Sequence, residues 1–222
     1  MEKQVIFRDY QKAQTVDFNN LQDYTRQSFD DLVGDAVTAS LRYAGFNTIK
    51  SNVAEITVAP GRFYGANADQ QIGAVFSLPT STIMSLVQYL CVAQTTTRIL
   101  TLVAYGVEDQ VDVETRDFLT NTQTLQTQPQ AVAMTDSRDA VLGIAAGAES
   151  AQPVPPVINV GQVAIANIIV NANGVLSVSM LPAGQVTSTE DLNTRLLDVE
   201  AFDLAVEAQV STLASDLWRW PC

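Results

Sequence analysis

Three features of the sequence predict a mainly β protein (α+β class) with a helix at each end. Short β-branched runs fill the middle of the chain. An apolar stripe at helical spacing precedes them, and a sustained heptad repeat follows them. At the N-terminus, Val5 to Tyr10 reads as a short extended arm. From Asp17 to Val33 the residues Phe18, Leu21, Phe29, Leu32 and Val33 recur at helical spacing. Asp17 is placed to cap this helix and Gly34 to end it as a C′ residue. Residues 1–40 therefore form an N-terminal arm and helix.

Residues 41–186 read as a β-rich body. Phe46 to Lys50 and Val53 to Val58 are β-branched runs joined by Ser51-Asn52, and Ala59-Pro60-Gly61 breaks the second. Arg98 to Tyr105 is a continuous apolar run ending at Gly106, the pattern of a buried strand. Asp112 to Leu119 and Ala131 to Ala145 are further strand candidates. Pro153, Pro155 and Pro156 mark an extended connector. Gln162 to Val170 and Val175 to Met180 flank Asn173-Gly174, a strong hairpin signal because both turn residues take positive φ.

Residues 187–222 change character. Thr187 with Glu190, or Ser188 with Asp191, gives a capping-box start. Apolar residues then fall at Leu192, Leu196, Val199, Phe202, Val206, Val210, Leu213, Leu217 and Trp220, in steps of three and four. Their mean spacing of about 3.5 residues is that of helices wound around each other. The alternative is an amphipathic helix lying on its own domain. Pro221 stops the repeat.

Composition narrows the function. Apolar residues make up 47% of the 222, enough for a sizeable core, while charged residues are only 16% against the roughly 25% of ordinary globular proteins. A surface built from Thr, Ser, Asn, Gln and Ala suits an assembly whose faces are covered by neighbours. It also suits an extracellular β protein. Twenty-four acidic against twelve basic residues give a net charge of -12. The three lysines (Lys3, Lys12, Lys50) lie early and the nine arginines are scattered, so neither nucleic acid nor an anionic membrane is an expected partner. Met1 to Tyr10 carries Glu2, Arg8 and Asp9 where a signal peptide would be apolar. Polar residues interrupt Met84 to Tyr105, so folding in a cytoplasm is expected.

The residues of catalysis are sparse. There is no histidine, which removes the commonest general base and metal ligand. Cys91 reads as a buried thiol, and Cys222 is placed to meet its own copies as an interchain disulfide if the C-termini run parallel. No nucleophile elbow, phosphate loop or dinucleotide fingerprint occurs. Glu108, Asp109, Asp112, Glu114 and Asp117 form the densest acidic cluster, and it lacks the glycine and ligand spacing of a calcium loop. A solvated acidic hairpin accounts for it. No catalytic residue, metal or cofactor is expected. Arg62-Phe63-Tyr64 reads either as a binding tip or as strand and core. Trp218 and Trp220 read either as caps of the coil or as an aromatic anchor for a partner.

The residues also carry a resemblance. Val5-Ile6-Phe7-Arg8-Asp9-Tyr10-Gln11 and Asp17-Phe18-Asn19-Asn20-Leu21-Gln22 look like the start of virion proteins from long-tailed bacteriophages. So do Arg42-Tyr43-Ala44-Gly45-Phe46, Val58-Ala59-Pro60-Gly61-Arg62-Phe63-Tyr64 and Arg116-Asp117-Phe118-Leu119. Ser137-Arg138-Asp139-Ala140 and Leu213-Ala214-Ser215-Asp216-Leu217 extend it over nearly the whole chain. The resemblance implies a baseplate protein or the anchoring part of a tail fibre, carried in the virion and assembled in the host bacterial cytoplasm. An N-terminal arm and helix would bind baseplate proteins, through Phe7, Arg8, Tyr10, Phe18 and Leu21. A trimeric C-terminal coiled coil would lead to other tail-fibre proteins; the choice of three copies rests on the resemblance alone. The chain departs from the pattern by ending at Pro221-Cys222 without a long fibre. The rival expectations are a receptor- or carbohydrate-binding module of the tail tip and a depolymerase using carboxylates around Asp112 to Asp117.

Overall fold

A computed structural model describes residues 3–7, 14–67, 69–121, 123–187 and 189–217. The chain divides into two compact units at Gln185/Val186. The first is mainly β and opens with helix α1 (Thr15–Ala36). Its strands are β1 (Arg42–Gly45), β2 (Thr48–Asn52), β3 (Glu55–Val58), β4 (Gly61–Ala66), β5 (Ile72–Leu78), β6 (Thr82–Ser85), β7 (Arg98–Asn121), β8 (Gln126–Ala146), β9 (Val163–Asn171) and β10 (Gly174–Met180). The second unit is one helix, α2 (Thr189–Leu217). Among the described residues no helix is long and apolar enough to cross a membrane.

Seven strands form one sheet in the order β1-β4-β5-β8-β7-β9-β10, and β2-β3-β6 form a second. Every pairing is antiparallel except β5 with β8, which meet in parallel at Ser77 and Asp139. The two sheets share one core, in which Tyr43, Phe46, Ile56, Phe63, Phe76, Leu100, Leu102, Ile165 and Ile168 are at most 2% exposed. Alternation explains the pattern: β9 turns Val163, Ile165, Ile168 and Val170 inward, with Ala166 beside them. The buried Tyr43 and Thr101 hydroxyls are both paired. The Tyr43 hydroxyl donates to the Leu181 carbonyl at 2.9 Å, and Thr101 donates to the Asn167 side chain at 2.8 Å.

The chain crosses between sheets at Gly45-Phe46, both with positive φ (80° and 54°). Phe46 fills the corner, and a Cβ on Gly61 would lie 2.6 Å from its ring. Phe63 of the Arg62-Phe63-Tyr64 group is a core residue of β4 and no binding tip.

Several expected boundaries move, each for a visible reason. The run beginning at Phe46 becomes a strand only at Thr48, because Phe46 is spent on the corner. The β2–β3 turn falls at Val53-Ala54, not Ser51-Asn52. There the Asn52 side chain accepts from the Val53 amide at 2.8 Å, while the Val53 carbonyl accepts from the Val175 amide at 2.7 Å and ties the second sheet to the first. The β9–β10 loop is Ala172-Asn173, with Gly174 already paired opposite Asn171. Of the expected turn pair only Gly174 has positive φ (137°). A Cβ there would sit 2.2 Å from the Val53 carbonyl oxygen. Gly106 does not end a strand. β7 runs through it, and the missing side chain leaves room for Phe76, whose ring would come 2.5 Å from a Cβ. Asp112 to Leu119 and Ala131 to Ala145 are accordingly parts of β7 and β8.

Candidate interaction surfaces

Helix α1 begins one turn earlier than expected. Gln14 is its N-cap, and Asp17 lies three residues inside, where its carboxylate accepts from the Gln14 amide at 2.8 Å. Gly34 is internal rather than a C′ residue, and it allows the helix to touch β5 backbone to backbone. A Cβ on Gly34 would lie 3.0 Å from the Ile72 carbonyl, and one on Gly73 only 2.0 Å from that of Asp30.

The face that α1 buries is unusual in its chemistry. Its two buried residues are Asp30 and Val33. Asp30, 2% exposed, accepts from Arg138 at 2.7 Å, and Arg138 also donates to Glu108 at 2.6 Å. Arg26 approaches Glu108 at 4.0 Å, and the Gln71 side chain donates to Asp31. Burial alone would lower the Arg138 pKa, but its hydrogen bonds to Asp30 and Glu108 and their negative charges hold it above its ordinary value. Glu108 is thereby withdrawn from the solvated acidic hairpin expected for it.

With its underside ionic, α1 presents its apolar stripe outward. Phe18, Leu21, Phe29 and Leu32 are 53%, 47%, 58% and 60% exposed. At 100° per residue they fall within roughly 80° of arc. Beside them Leu21, Thr25, Phe29 and Val75 help line a shallow cleft of about 640 Å³. Residues 3–7 lie along the same helix: the Phe7 ring is 6.0 Å from that of Phe18, and the Lys3 ammonium stands 5.5 Å from the Tyr24 ring centroid. Of the expected attachment residues, Phe7, Phe18 and Leu21 thus share one surface, while Arg8 and Tyr10 lie outside the described residues.

A polar cavity of about 390 Å³ adjoins this helix, lined by Asp23, Asp30, Asp69, Glu108, Arg26 and Arg138 among others. Its deepest charges are already paired with one another. Among the described residues no group of three acidic or thiol side chains is placed to hold a metal ion. The carboxylates around Asp112 to Asp117 are not part of this cavity. They lie exposed on β7, where Glu114 pairs with Arg116 at 2.6 Å.

β7 and β8 extend well beyond the body. From Val107 onward β7 pairs only with β8, and from there to Asn121 the ribbon reaches about 50 Å. Directly opposed residues share a face, so Val111 and Val113 lie with Ala131 and Ala133 on one side. Glu114 and Arg116 lie on the other. At the opposite end of the ribbon, Glu149 pins the 91–97 loop. Its carboxylate accepts from the Val92 and Ala93 amides at 3.2 and 3.0 Å and from the Thr96 hydroxyl. The Thr96 bond and then these two amides hold Glu149 below the usual carboxylate range. Cys91 beside it is 6% exposed, and burial followed by the Glu149 charge pushes its thiol up, which makes it unreactive.

In the second unit α2 is unbroken from Thr189 to Leu217. Leu192, Leu196, Val199, Phe202, Val206 and Val210 are 53%, 55%, 56%, 68%, 40% and 59% exposed. Leu213 and Leu217 belong to the helix, but their side chains lie outside the described residues, as do Trp218, Trp220 and Cys222 entirely.

No protein-family model matches the chain, and no curated protein matches it. Among solved structures it is similar to one described as a crystal structure of TssK. The TM-score is 0.37 at 9% identity, covering 100% of this chain and 50% of that one. The chain therefore spans about half the length of that protein, and the two backbones agree only loosely.

Proposed function

We propose that this protein is a non-catalytic structural component of a phage-tail-type baseplate, joining one partner to another through two apolar surfaces. The observation that carries the reading is α2, an unbroken helix whose heptad side chains stand 40–68% exposed in the single chain from Leu192 to Val210. Apolar seams of this length are stable when a second helix covers them. The chain forms a homotrimer through this seam, the number three coming from the sequence resemblance to phage tail proteins. The α1 stripe, with Phe7 laid against Phe18, is the attachment surface for a baseplate protein, and the C-terminal end leads to a tail-fibre protein. The ionic underside of α1 supports this reading. It fixes the helix with Val33 as the one buried apolar side chain, which leaves Phe18, Leu21, Phe29 and Leu32 for a partner.

Light scattering on the full chain tests the reading. The expected mass is three times the 24.0 kDa of one chain. It should fall to one chain in a version stopped after Val186 and in the double variant Leu196→Glu/Val206→Glu. A full chain that stays monomeric at high concentration would remove the self-association half of the proposal.

A further inference from the structure

The apolar seam of α2 has an irregular middle when traced through Phe202, because two steps of three are followed by two of four. The helix itself is continuous there, with no break to absorb a change of phase. A strict alternation of three and four passes instead through Asp203. Leu196, Asp203 and Val210 then take the a positions, and Leu192, Val199 and Val206 the d positions. Phe202 moves to a flanking g position beside the Asp203 layer. We propose that α2 associates with second copies of itself as a parallel, in-register bundle in which Asp203 is the charged layer that fixes the register. This inference rests on the self-association reading above and adds orientation, register and the residue that sets them.

Charge complementarity decides the orientation. In the strict register Arg195 is a g residue and Glu200 the e residue five positions on. A parallel neighbour brings these two opposite charges together. An antiparallel neighbour centred on Asp203 would instead bring Glu200 against Glu207, two like charges, and leave Arg195 away from Glu200. The α2 helix carries Glu190, Asp191, Asp198, Glu200, Asp203, Glu207 and Asp216 against Arg195 alone, so where that one cation lands matters. The register follows from Asp203. Slipping one copy by a heptad would press a carboxylate against the apolar Leu196 or Val210 layer, where it has neither water nor partner. Alignment keeps the carboxylates in one layer, which costs affinity through their mutual repulsion but makes every other alignment worse.

Sedimentation equilibrium on full-length chains tests this, since Arg195, Glu200 and Asp203 are all exposed in the single chain and their replacement leaves each copy folded. Asp203→Val should tighten association by about tenfold or more, whereas Asp203→Asn should tighten it less. Arg195→Glu and Glu200→Arg should each weaken association several-fold, and the double exchange should restore it. If Leu196→Glu abolishes assembly but Asp203→Val leaves it unchanged or weaker, the seam runs through Phe202; the register proposal is then wrong while self-association stands. Failure of the double exchange to restore affinity would overturn the parallel arrangement. A wild-type chain and an Asp203→Val chain that both remain monomeric would overturn the proposal together with the reading it rests on.

Discussion

The two halves of the β7–β8 ribbon have the same backbone pairing and opposite surroundings. Near Leu100 to Ala104 the strands are covered by the second sheet and β7 is flanked by β9, so its side chains are at most 3% exposed. Beyond the Glu108–Arg138 pair, which α1 still reaches, the same two strands have only each other among the described residues, and Val113, Phe118 and Leu119 are 68%, 41% and 52% exposed. The β7–β8 hydrogen bonds, which run through both halves, therefore do not by themselves distinguish body from ribbon. Burial does, and burial is where most of the stability resides. A two-stranded ribbon is marginal by itself, so its outer half is held by continuity with the inner one.

Substitutions along the ribbon test that contrast. Leu102→Ala in the covered half should cost about 2–5 kcal/mol, read as a lower midpoint in denaturant unfolding. At the boundary, Arg138→Ala strands the buried Asp30 carboxylate, and about 2–3 kcal/mol should be lost. The Asp30→Asn variant should recover part of this when combined with it. Gly106→Ala, where a Cβ would meet the Phe76 ring, should cost about 1–3 kcal/mol. A neutral result would show that Phe76 can move aside. Val113→Ala in the outer half should change stability by less than about 0.5 kcal/mol. A larger loss would mean that the outer face is covered after all.

The subtlest test is by pH. Glu149 is held below its ordinary value in the folded chain, so its contribution is present above the ordinary carboxylate range and disappears as pH falls through the folded value. Hydrogen exchange at the Val92 and Ala93 amides should accelerate over that acid interval, beyond the intrinsic change. Glu149→Gln should remove the extra dependence. Equal behaviour of wild type and Glu149→Gln would show that the 91–97 loop is held by other groups.

What could be read from the sequence was local. The apolar run from Arg98, the β9–β10 hairpin and the stripe of α1 repeat within a few residues and announce themselves. β1, β5 and β6 did not, since Arg42–Gly45 is short and mixed, and the others lean on tertiary neighbours. Glycine misled most: Gly34 and Gly106 look like stops, yet each is a point of close approach to an element remote in sequence. The Asp30–Arg138 pair joins residues 108 positions apart, and nothing near either one signals it. Of the proposed attachment surface, Phe18 and Leu21 were visible in the α1 pattern. Their exposure was not, because an amphipathic stripe ordinarily faces inward, and here the ionic side does.

The continuity of β7 has a mechanical meaning. A pull on the ribbon tip directed along the strand is carried straight into the core segment from Arg98 to Ala104, where neighbours grip β7 on both edges. Those hydrogen bonds lie across the pull and must shear together, so the resistance of many adds at once. A sideways pull would instead bend the two joined strands together, because no third strand backs them beyond the body. The ribbon is thus stiff to tension along its length and compliant to bending across it.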